Sequence, residues 1–294
     1  MNKDLKNFAF FGTSEFSVEV LKKLKELNFI PSLIVTTPDR PSGRGQKITP
    51  SPVKKWAEEN SVSIFQPNGF KDKKNIEQLK ESIPSKNTEW DLFVIASYGY
   101  ILPASVIYMP KFKSLNIHPS LLPKLRGPSP IQEAILKEEK TGVTIMKMDK
   151  KMDHGPILKQ EKLQYENWPP DYTTLEKDLA NKGATLLTKT IPLWINGEIK
   201  EIPQDEKRAT FTSIIKKEDA FLDFENENPE ILYRKIKAYK EKPKAYFFYE
   251  TPKKGKIRVI VTEATFKKGK LKIEKVIPEG RKEINYQEFL QQLK

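Results

Sequence analysis

The chain is organised around residues 114–130, which read SLNIHPSLLPKLRGPSP. The run 112–117 predicts a strand, and two polar residues, Asn116 and His118, lie at its end. Side chains on one face of a strand repeat every second residue, so this amide and this imidazole should point the same way. Pro119 cannot donate a ladder hydrogen bond, and a loop should follow. Open α/β sheets build ligand sites at strand ends of this kind.

The composition limits the classes of protein to which the chain can belong. It has 294 residues, enough for two domains, and a hydrophobic share of 37% that still allows a packed core. It has no cysteine and two histidines, which excludes disulfides and cysteine nucleophiles and predicts that it holds no metal. No apolar run approaches the roughly 20 residues of a membrane span, and the N-terminus does not read as a signal peptide. We expect a cytoplasmic protein without a membrane partner, and a monomer.

Alternating strands and helices predict the fold of the larger part of the chain. Residues 8–11 read as a buried strand that ends at Gly12, and residues 15–27 carry the apolar stripe of a helix. A single glycine stands where the dinucleotide fingerprint G-x-G-x-x-G needs three, so we expect no nicotinamide or flavin cofactor. The alternation continues to about residue 195 and predicts an α/β, doubly wound, Rossmann-like domain over residues 1–195.

Two further segments of this domain could bind ligands. Residues 36–57 form a long, exposed loop rich in proline and glycine, with Arg40, Arg44 and Lys47 among them. Arginines on such a loop could contact a phosphate backbone, although composition alone slightly favours a solvated linker. The apolar run LFVIA predicts a buried strand, and the turn after it holds Tyr98, which could stack on a flat ring or pack in the core.

The pattern changes after a polar linker over residues 196–210. Residues 211–294 read as a helix followed by short strands and tight turns, which predicts a small β-barrel of the oligonucleotide-binding (OB) type. The whole chain has a net charge of +13, and residues 213–294 carry 20 Lys and Arg against 13 Asp and Glu, a net of +7. This charge suggests a nucleic-acid partner, although a lysine-rich solvated surface explains it about as well.

Three polar side chains suggest a reaction. Asn116 can donate to a carbonyl oxygen that gains negative charge, His118 can move a proton near neutral pH, and Asp153 can orient the imidazole. The set suits attack by a substrate amine on an acyl carbon without a covalent enzyme intermediate. Asp149 is the alternative carboxylate. His154 could tune Asp153 or simply face solvent, and we expect it to face solvent. By itself, N-x-H with a distant aspartate more often has a structural role.

The order of these motifs resembles a known family. N-x-H-x-S-L-L-P, R-G, P-I-Q, T-G-V-T-I-M-x-M-D and D-x-G follow one another in this chain, and this order resembles the formyltransferases that use 10-formyltetrahydrofolate. The resemblance implies that Asn116, His118 and Asp153 are catalytic and that the folate is the formyl donor. It also implies a folate site at the S-L-L-P loop and the turn after LFVIA. The residues implied for that site are Ser120, Leu121, Leu122, Pro123, Tyr98, Ile101 and Leu102.

The loop motif PDRPSGRG and the following TPSPVK resemble the branch of the family that acts on tRNA. This resemblance implies methionyl-initiator tRNA as the acceptor and implies tRNA contacts by Arg40, Arg44 and Lys47, with Arg44 at the key position. It also implies that residues 211–294 bind tRNA. The segment AYKEKPKAY departs from the family pattern in that second domain, which leaves its tRNA contact open.

Two alternatives remain at this point. A nucleotide-sugar N-formyltransferase shares the N-x-H and S-L-L-P elements, but it has no need of the arginine loop or of a basic second domain. A non-catalytic nucleic-acid-binding protein could keep the fold, but it has no need of Asn116, His118 and Asp153 together. An acceptor test distinguishes the first alternative, and loss of activity on substitution of His118 distinguishes the second.

Overall fold

The computed structural model describes residues 5–42, 45–84, 89–137, 141–251 and 255–291. The chain forms two compact units, and neither is one uninterrupted stretch. The first unit comprises Met1–Arg126, Thr141–Leu163 and Lys177–Phe211, and the second comprises Gly127–Lys140, Gln164–Glu176 and Thr212–Lys294. The predicted domain boundaries at residues 195 and 210 stay predictions. No helix in the described part of the chain is long and apolar enough to cross a membrane.

The first unit is built on a central sheet, as its alternating pattern predicts. Its strands are β1 (Phe8–Gly12), β2 (Leu33–Val35), β3 (Arg40–Ser42), β4 (Lys47–Thr49), β5 (Ser63–Phe65), β6 (Leu92–Ala96), β7 (Ser114–His118), β8 (Gly142–Lys147) and β9 (Ile157–Lys162). Seven of them form one sheet in the order β5-β2-β1-β6-β7-β8-β9. The strands from β5 to β7 are parallel, whereas β8 and β9 run antiparallel to their neighbours. The predicted α/β fold class is confirmed.

The helices follow the strands along the chain. They are α1 (Glu15–Glu26), α2 (Pro52–Glu59), α3 (Lys73–Glu81), α4 (Ala104–Ile107), α5 (Pro130–Lys137), α6 (Tyr172–Ile195), α7 (Pro229–Ala238) and α8 (Tyr286–Gln291). Helix α2 begins at a Ser-Pro pair, since the Ser51 hydroxyl accepts from the Lys54 amide and Pro52 occupies the first turn.

The core of the first unit surrounds β1 and β6, in which every residue is buried. Both strands are covered on two faces, as parallel strands usually are. Gly12 allows α1 to start close to the sheet, since a Cβ at this position would lie 2.7 Å from the Ser17 Cβ. The Ser17 hydroxyl then donates to the Ala96 carbonyl at 2.6 Å and ties α1 to β6.

The segment predicted as a plain loop over residues 36–57 contains a hairpin. Strands β3 and β4 pair antiparallel, with Arg40 opposite Thr49. Asp39 fixes the base of this hairpin, because it accepts from Lys54 Nζ at 2.7 Å and from Gln66 Nε2 at 2.9 Å. Pairing and anchoring therefore order a stretch whose proline and glycine content predicted only exposure.

The segment predicted as a linker packs on the first unit. Ile202 exchanges backbone hydrogen bonds with Ile157 at 2.8 and 3.0 Å, and Phe211 forms a bridge with Arg126. Residues 206–208 form a short 3-10 turn between these two contacts. The polar composition of this stretch gave no sign of such pairing.

The second unit contains an antiparallel sheet, as its short strands and turns predict. Its strands are β10 (Tyr246–Thr251), β11 (Gly255–Lys267), β12 (Lys270–Pro278) and β13 (Ile284–Asn285), in that order across the sheet. Asn228 caps the start of α7, because its side chain accepts from the amides of Glu230 and Ile231. One of the predicted tight turns, at Lys253 and Lys254, lies outside the described residues.

Candidate active site

Strand β7 delivers two of the predicted side chains to one point. It pairs with β6 on one side and β8 on the other, and all five of its residues are buried. Asn116 Nδ2 lies 3.5 Å from Asp153 Oδ1, and His118 Nδ1 lies 3.6 Å from the same oxygen. The structure therefore brings together the amide, the imidazole and the carboxylate, with the last coming from 35 residues or more along the chain.

The environment of His118 fixes which ring nitrogen carries its proton. His118 Nε2 lies 2.9 Å from the Leu125 carbonyl oxygen, which can only accept a hydrogen bond. Nε2 must therefore be the donor, and in the neutral ring Nδ1 is left with its lone pair toward Asp153. Nδ1 is the nitrogen that can take up a proton at this site, and the imidazolium so formed would face a carboxylate.

The backbone around Asp153 explains the spacing D-x-G. Asp153 has φ +49°, a conformation that aspartate tolerates better than most residues. A Cβ on Gly155 would lie 1.9 Å from the Lys147 carbonyl oxygen, so only glycine fits here. The Lys147 amide donates to the Pro156 carbonyl at 3.0 Å, which holds the turn against β8. The glycine thus permits the close approach that places Asp153 opposite β7.

The S-L-L-P loop is held by hydrogen bonds to the Lys124 carbonyl and to Thr144 on β8. Ser120 is buried, and its hydroxyl donates to the Lys124 carbonyl at 2.6 Å. Thr144 Oγ1 donates to the Ser120 carbonyl at 2.6 Å and accepts from the Leu122 amide at 3.1 Å. Leu122 is buried and packs with Met146. The side chains of Ser120 and Leu122 therefore shape the loop, while Leu121 and Pro123 are half-buried.

The three other residues predicted to bind folate follow β6 and differ in how exposed they are. Tyr98 is half-buried and meets the Phe11 ring edge-on at 5.5 Å, and Leu102 is buried. Ile101 has 85% of its surface exposed. The Tyr98 hydroxyl is buried without a hydrogen-bond partner among the described residues, and burial raises its pKa. Ile101 is therefore the member of this group that a ligand could cover without rearrangement.

The basic residues of the predicted tRNA loop differ in their surroundings. Arg40 Nη2 donates to the Tyr100 hydroxyl at 2.6 Å, which ties β3 to the turn after β6. Lys47 is exposed on β4. Arg44, the key arginine of the resemblance, lies outside the described residues.

The expectation that His154 simply faces solvent is wrong. Its Nδ1 lies 2.6 Å from Asp149 Oδ2, and its Nε2 lies 3.5 Å from Glu206 Oε1. Asp149, the alternative catalytic carboxylate, is therefore paired with the other histidine. A cavity of about 320 Å³ lies beside this pair, with Asp149, His154, Gln204 and Glu206 among its lining residues.

Arg126 is a buried residue whose partners sequence reasoning did not find. Only 2% of its surface is exposed, and its two terminal nitrogens lie 2.7 and 3.0 Å from the two carboxylate oxygens of Glu206. These hydrogen bonds lower the pKa of Glu206. Arg126 Nε also donates to Gln204 Oε1 at 2.9 Å. The R-G motif marked this arginine, but no local signal identified partners about 80 residues away.

Comparisons with known proteins identify the family of the chain. The family described as formyl transferase matches residues 6–191, and the one described as formyl transferase, C-terminal domain, matches residues 214–268. A protein of Sulfurihydrogenibium sp. called methionyl-tRNA formyltransferase is 40% identical over 238 residues, which are 81% of this chain and 74% of that protein.

Two solved structures share the fold. Methionyl-tRNA formyltransferase from Clostridium thermocellum has a TM-score of 0.59 at 19% identity and covers 93% of this chain and 99% of its own. HypX from Aquifex aeolicus, in complex with tetrahydrofolic acid, has a TM-score of 0.65 at 15% identity and covers 98% of this chain and 47% of its own. At these identities the two structures support the fold alone. The family assignment rests on the sequence match, which covers 81% of the chain. The chain belongs to the formyl transferase family.

Proposed function

We propose that this enzyme transfers a formyl group from 10-formyltetrahydrofolate to the α-amino group of methionyl-initiator tRNA, for the initiation of translation. The observation that carries the proposal is the convergence of Asn116 and His118 on one oxygen of Asp153. The acceptor is supported by the relative of 40% identity called methionyl-tRNA formyltransferase. The donor is supported by family membership and by the neighbour solved with tetrahydrofolic acid.

The reaction exchanges one C–N bond for another. The amine attacks the formyl carbon, a new C–N bond forms, and the bond from that carbon to the folate nitrogen breaks. Asn116 Nδ2 donates to the carbonyl oxygen as it becomes negative. The loss of one such donor typically slows a reaction by about a hundred- to a thousandfold. Formylated methionine on the tRNA and tetrahydrofolate leave the site.

His118 and Asp153 move the proton that the attacking amine must lose. His118 Nδ1 accepts this proton, while Nε2 keeps its own proton and donates it in a hydrogen bond to the Leu125 carbonyl. Asp153 faces the imidazolium and stabilises its charge. The same proton then passes to the departing folate nitrogen, through a water where the distance requires one. The ring therefore returns to its starting state within one turnover.

The acceptor assignment follows from two basic surfaces. Lys47 is exposed on the β3–β4 hairpin, where a lysine can contact a phosphate. Arg44 lies between these strands in the sequence, outside the described residues, and an arginine can bind a phosphate in bidentate fashion. Residues 213–294 add a net charge of +7, from 20 basic and 13 acidic side chains. A nucleotide-sugar acceptor needs neither surface. Because the acceptor belongs to the translation machinery, we place the enzyme in the cytoplasm, as a monomer without a membrane partner.

An acceptor test examines the proposal. Purified protein and 10-formyltetrahydrofolate are incubated either with charged initiator tRNA or with an amino-sugar nucleotide, and His118→Ala serves as the inactive control. We expect formylmethionine on the tRNA and none on the sugar. Formylation of the sugar alone would establish the alternative acceptor, and formylation of neither would exclude both. Sedimentation of the same sample tests the monomer.

A further inference from the structure

The stretch from Ile202 to Phe211, here called the strap, binds the backbone that supports His118 and the backbone that carries Asp153. Its first residue pairs with the Ile157 backbone on β9, and its last pairs with the Arg126 backbone after the S-L-L-P loop. Between these contacts the strap binds the amides of Leu125 and Arg126, which flank the carbonyl that accepts from His118, and it also binds the turn that carries Asp153.

Thr210 binds the loop beside His118 through three hydrogen bonds. Its Oγ1 accepts from the Leu125 amide at 2.9 Å, its carbonyl accepts from the Arg126 amide at 2.9 Å, and its amide donates to the Pro123 carbonyl at 3.3 Å. Leu125 has φ +59°, a conformation that a bulky side chain rarely adopts unless its surroundings hold it there. The Leu125 carbonyl is the group that accepts from His118 Nε2. Thr210 therefore holds the backbone that sets the tautomer of His118.

Gln204 binds the turn that carries Asp153. Its Nε2 donates to the Asp153 carbonyl at 2.9 Å and to the Gly155 carbonyl at 2.7 Å. Its Oε1 accepts from Arg126 Nε, so the side-chain amide cannot flip without losing these contacts. These two hydrogen bonds hold the turn in which Asp153 has φ +49°.

We propose that Thr210 and Gln204 are positioning residues, which set the proton-accepting nitrogen of His118 and the place of Asp153 without touching a substrate. Thr210 acts through the Leu125 carbonyl, and Gln204 acts through the backbone of residues 153–155. The inference rests on the proposed function only in that the activity assay is formyl transfer. The protonation of the His118 ring is measured without any substrate, so the two can fail separately.

The first experiment compares Thr210→Val, Thr210→Ser and Thr188→Val. Valine keeps the shape and removes the acceptor, serine keeps the hydroxyl, and Thr188 is a control whose Oγ1 bonds within α6, to the Thr185 carbonyl. Misplacement of a reacting group by about 1 Å can cost on the order of a hundredfold, so we expect kcat of Thr210→Val to fall about 10- to 100-fold with little change in KM. Thr210→Ser and Thr188→Val should stay within about threefold of the parent.

The second measurement is ¹⁵N NMR of the histidine rings, which is simple because the chain has two histidines. The parent, Thr210→Ser and Thr188→Val should show His118 as the Nε2–H form, and Thr210→Val should show a mixture of both tautomers. A His154→Gln variant assigns the signals. An unaltered tautomer in Thr210→Val, or an equal loss of kcat in the valine and serine variants, would overturn the role of Thr210.

Gln204→Met tests the other half of the proposal independently. It removes both donors to the turn, so we expect a fall in kcat of on the order of tenfold, no change in the His118 tautomer, and a folded protein by circular dichroism. Unchanged kcat in this variant would refute the role of Gln204. Should Thr210→Val not fold, Thr210→Ala takes its place with the same expected outcomes.

Discussion

Replacing Gly155 with alanine tests whether the position of Asp153 limits the reaction. The added Cβ would lie 1.9 Å from the Lys147 carbonyl oxygen, and Cβ contacts below 3.0 Å essentially do not occur. The turn must therefore move away from β8 by more than about 1 Å. Because Asp153 lies two residues before Gly155, the movement reaches the carboxylate that faces His118. A displacement of this size predicts a loss of on the order of a hundredfold in the single-turnover rate.

The assay is a single-turnover formylation in which the enzyme and the folate are in excess over the charged tRNA, combined with a thermal melt. Gly197→Ala is the matched control, since Gly197 has φ +72° and, among the described residues, no atom of another segment lies within 4 Å of the added Cβ. That variant loses stability through its backbone alone, by roughly 1 kcal/mol, and its rate should be unchanged. If a folded Gly155→Ala protein reacts within about twofold of the parent, the position of Asp153 does not limit the reaction and the geometric argument is wrong.

Four other predictions concern separate parts of the molecule. His118→Ala should slow formyl transfer by about a hundred- to ten-thousandfold and leave tRNA binding intact in a filter-binding assay; activity within about tenfold would exclude the proton transfer. Arg44→Ala should raise KM for the charged tRNA and spare the folate, and an equal rise for the folate would contradict its assigned role. Thr144→Val should lower the free energy of unfolding by about 2 to 4 kcal/mol, because two backbone groups of the S-L-L-P loop lose their partner; denaturant titration measures this. The hydrogen bonds with Arg126 hold the pKa of Glu206 below its usual 4.5. The ionised carboxylate therefore stabilises the fold above pH 4.5, and this stabilisation is lost as the pH falls through the lower pKa of the folded state. The melting temperature of Glu206→Gln should fall less steeply with acidification than that of the parent.

Local patterns were enough to predict the main strands and helices of the first unit and to single out the three side chains of the site. The alternation of β7 put Asn116 and His118 on one face, and the buried runs of β1 and β6 marked the centre of the sheet. The D-x-G spacing identified Asp153, and the close approach of the Lys147 carbonyl explains why position 155 is a glycine. These features depend on neighbouring residues, whose geometry the backbone period determines.

The supports of the site could not be predicted, because they depend on contacts between distant segments. The Leu125 carbonyl has no sequence signature, since every residue has a carbonyl group. Thr210 lies 85 residues beyond Leu125, in a stretch whose polar composition is that of a linker. The pairing of His154 with Asp149 is close in sequence, but nothing in the residues between them fixes the fold of that turn. Pairing of β3 with β4 likewise needed the anchor at Asp39.

The central claim is that His118 and Asp153 act together on one proton, and a double-mutant cycle on the single-turnover rate tests it most directly. The variants are His118→Ala, Asp153→Asn and the two combined, each checked for folding by circular dichroism. Residues that act as a unit give a combined loss close to that of the more damaging single change. We predict this result. Losses that multiply would show that the two side chains act independently, and would contradict the account.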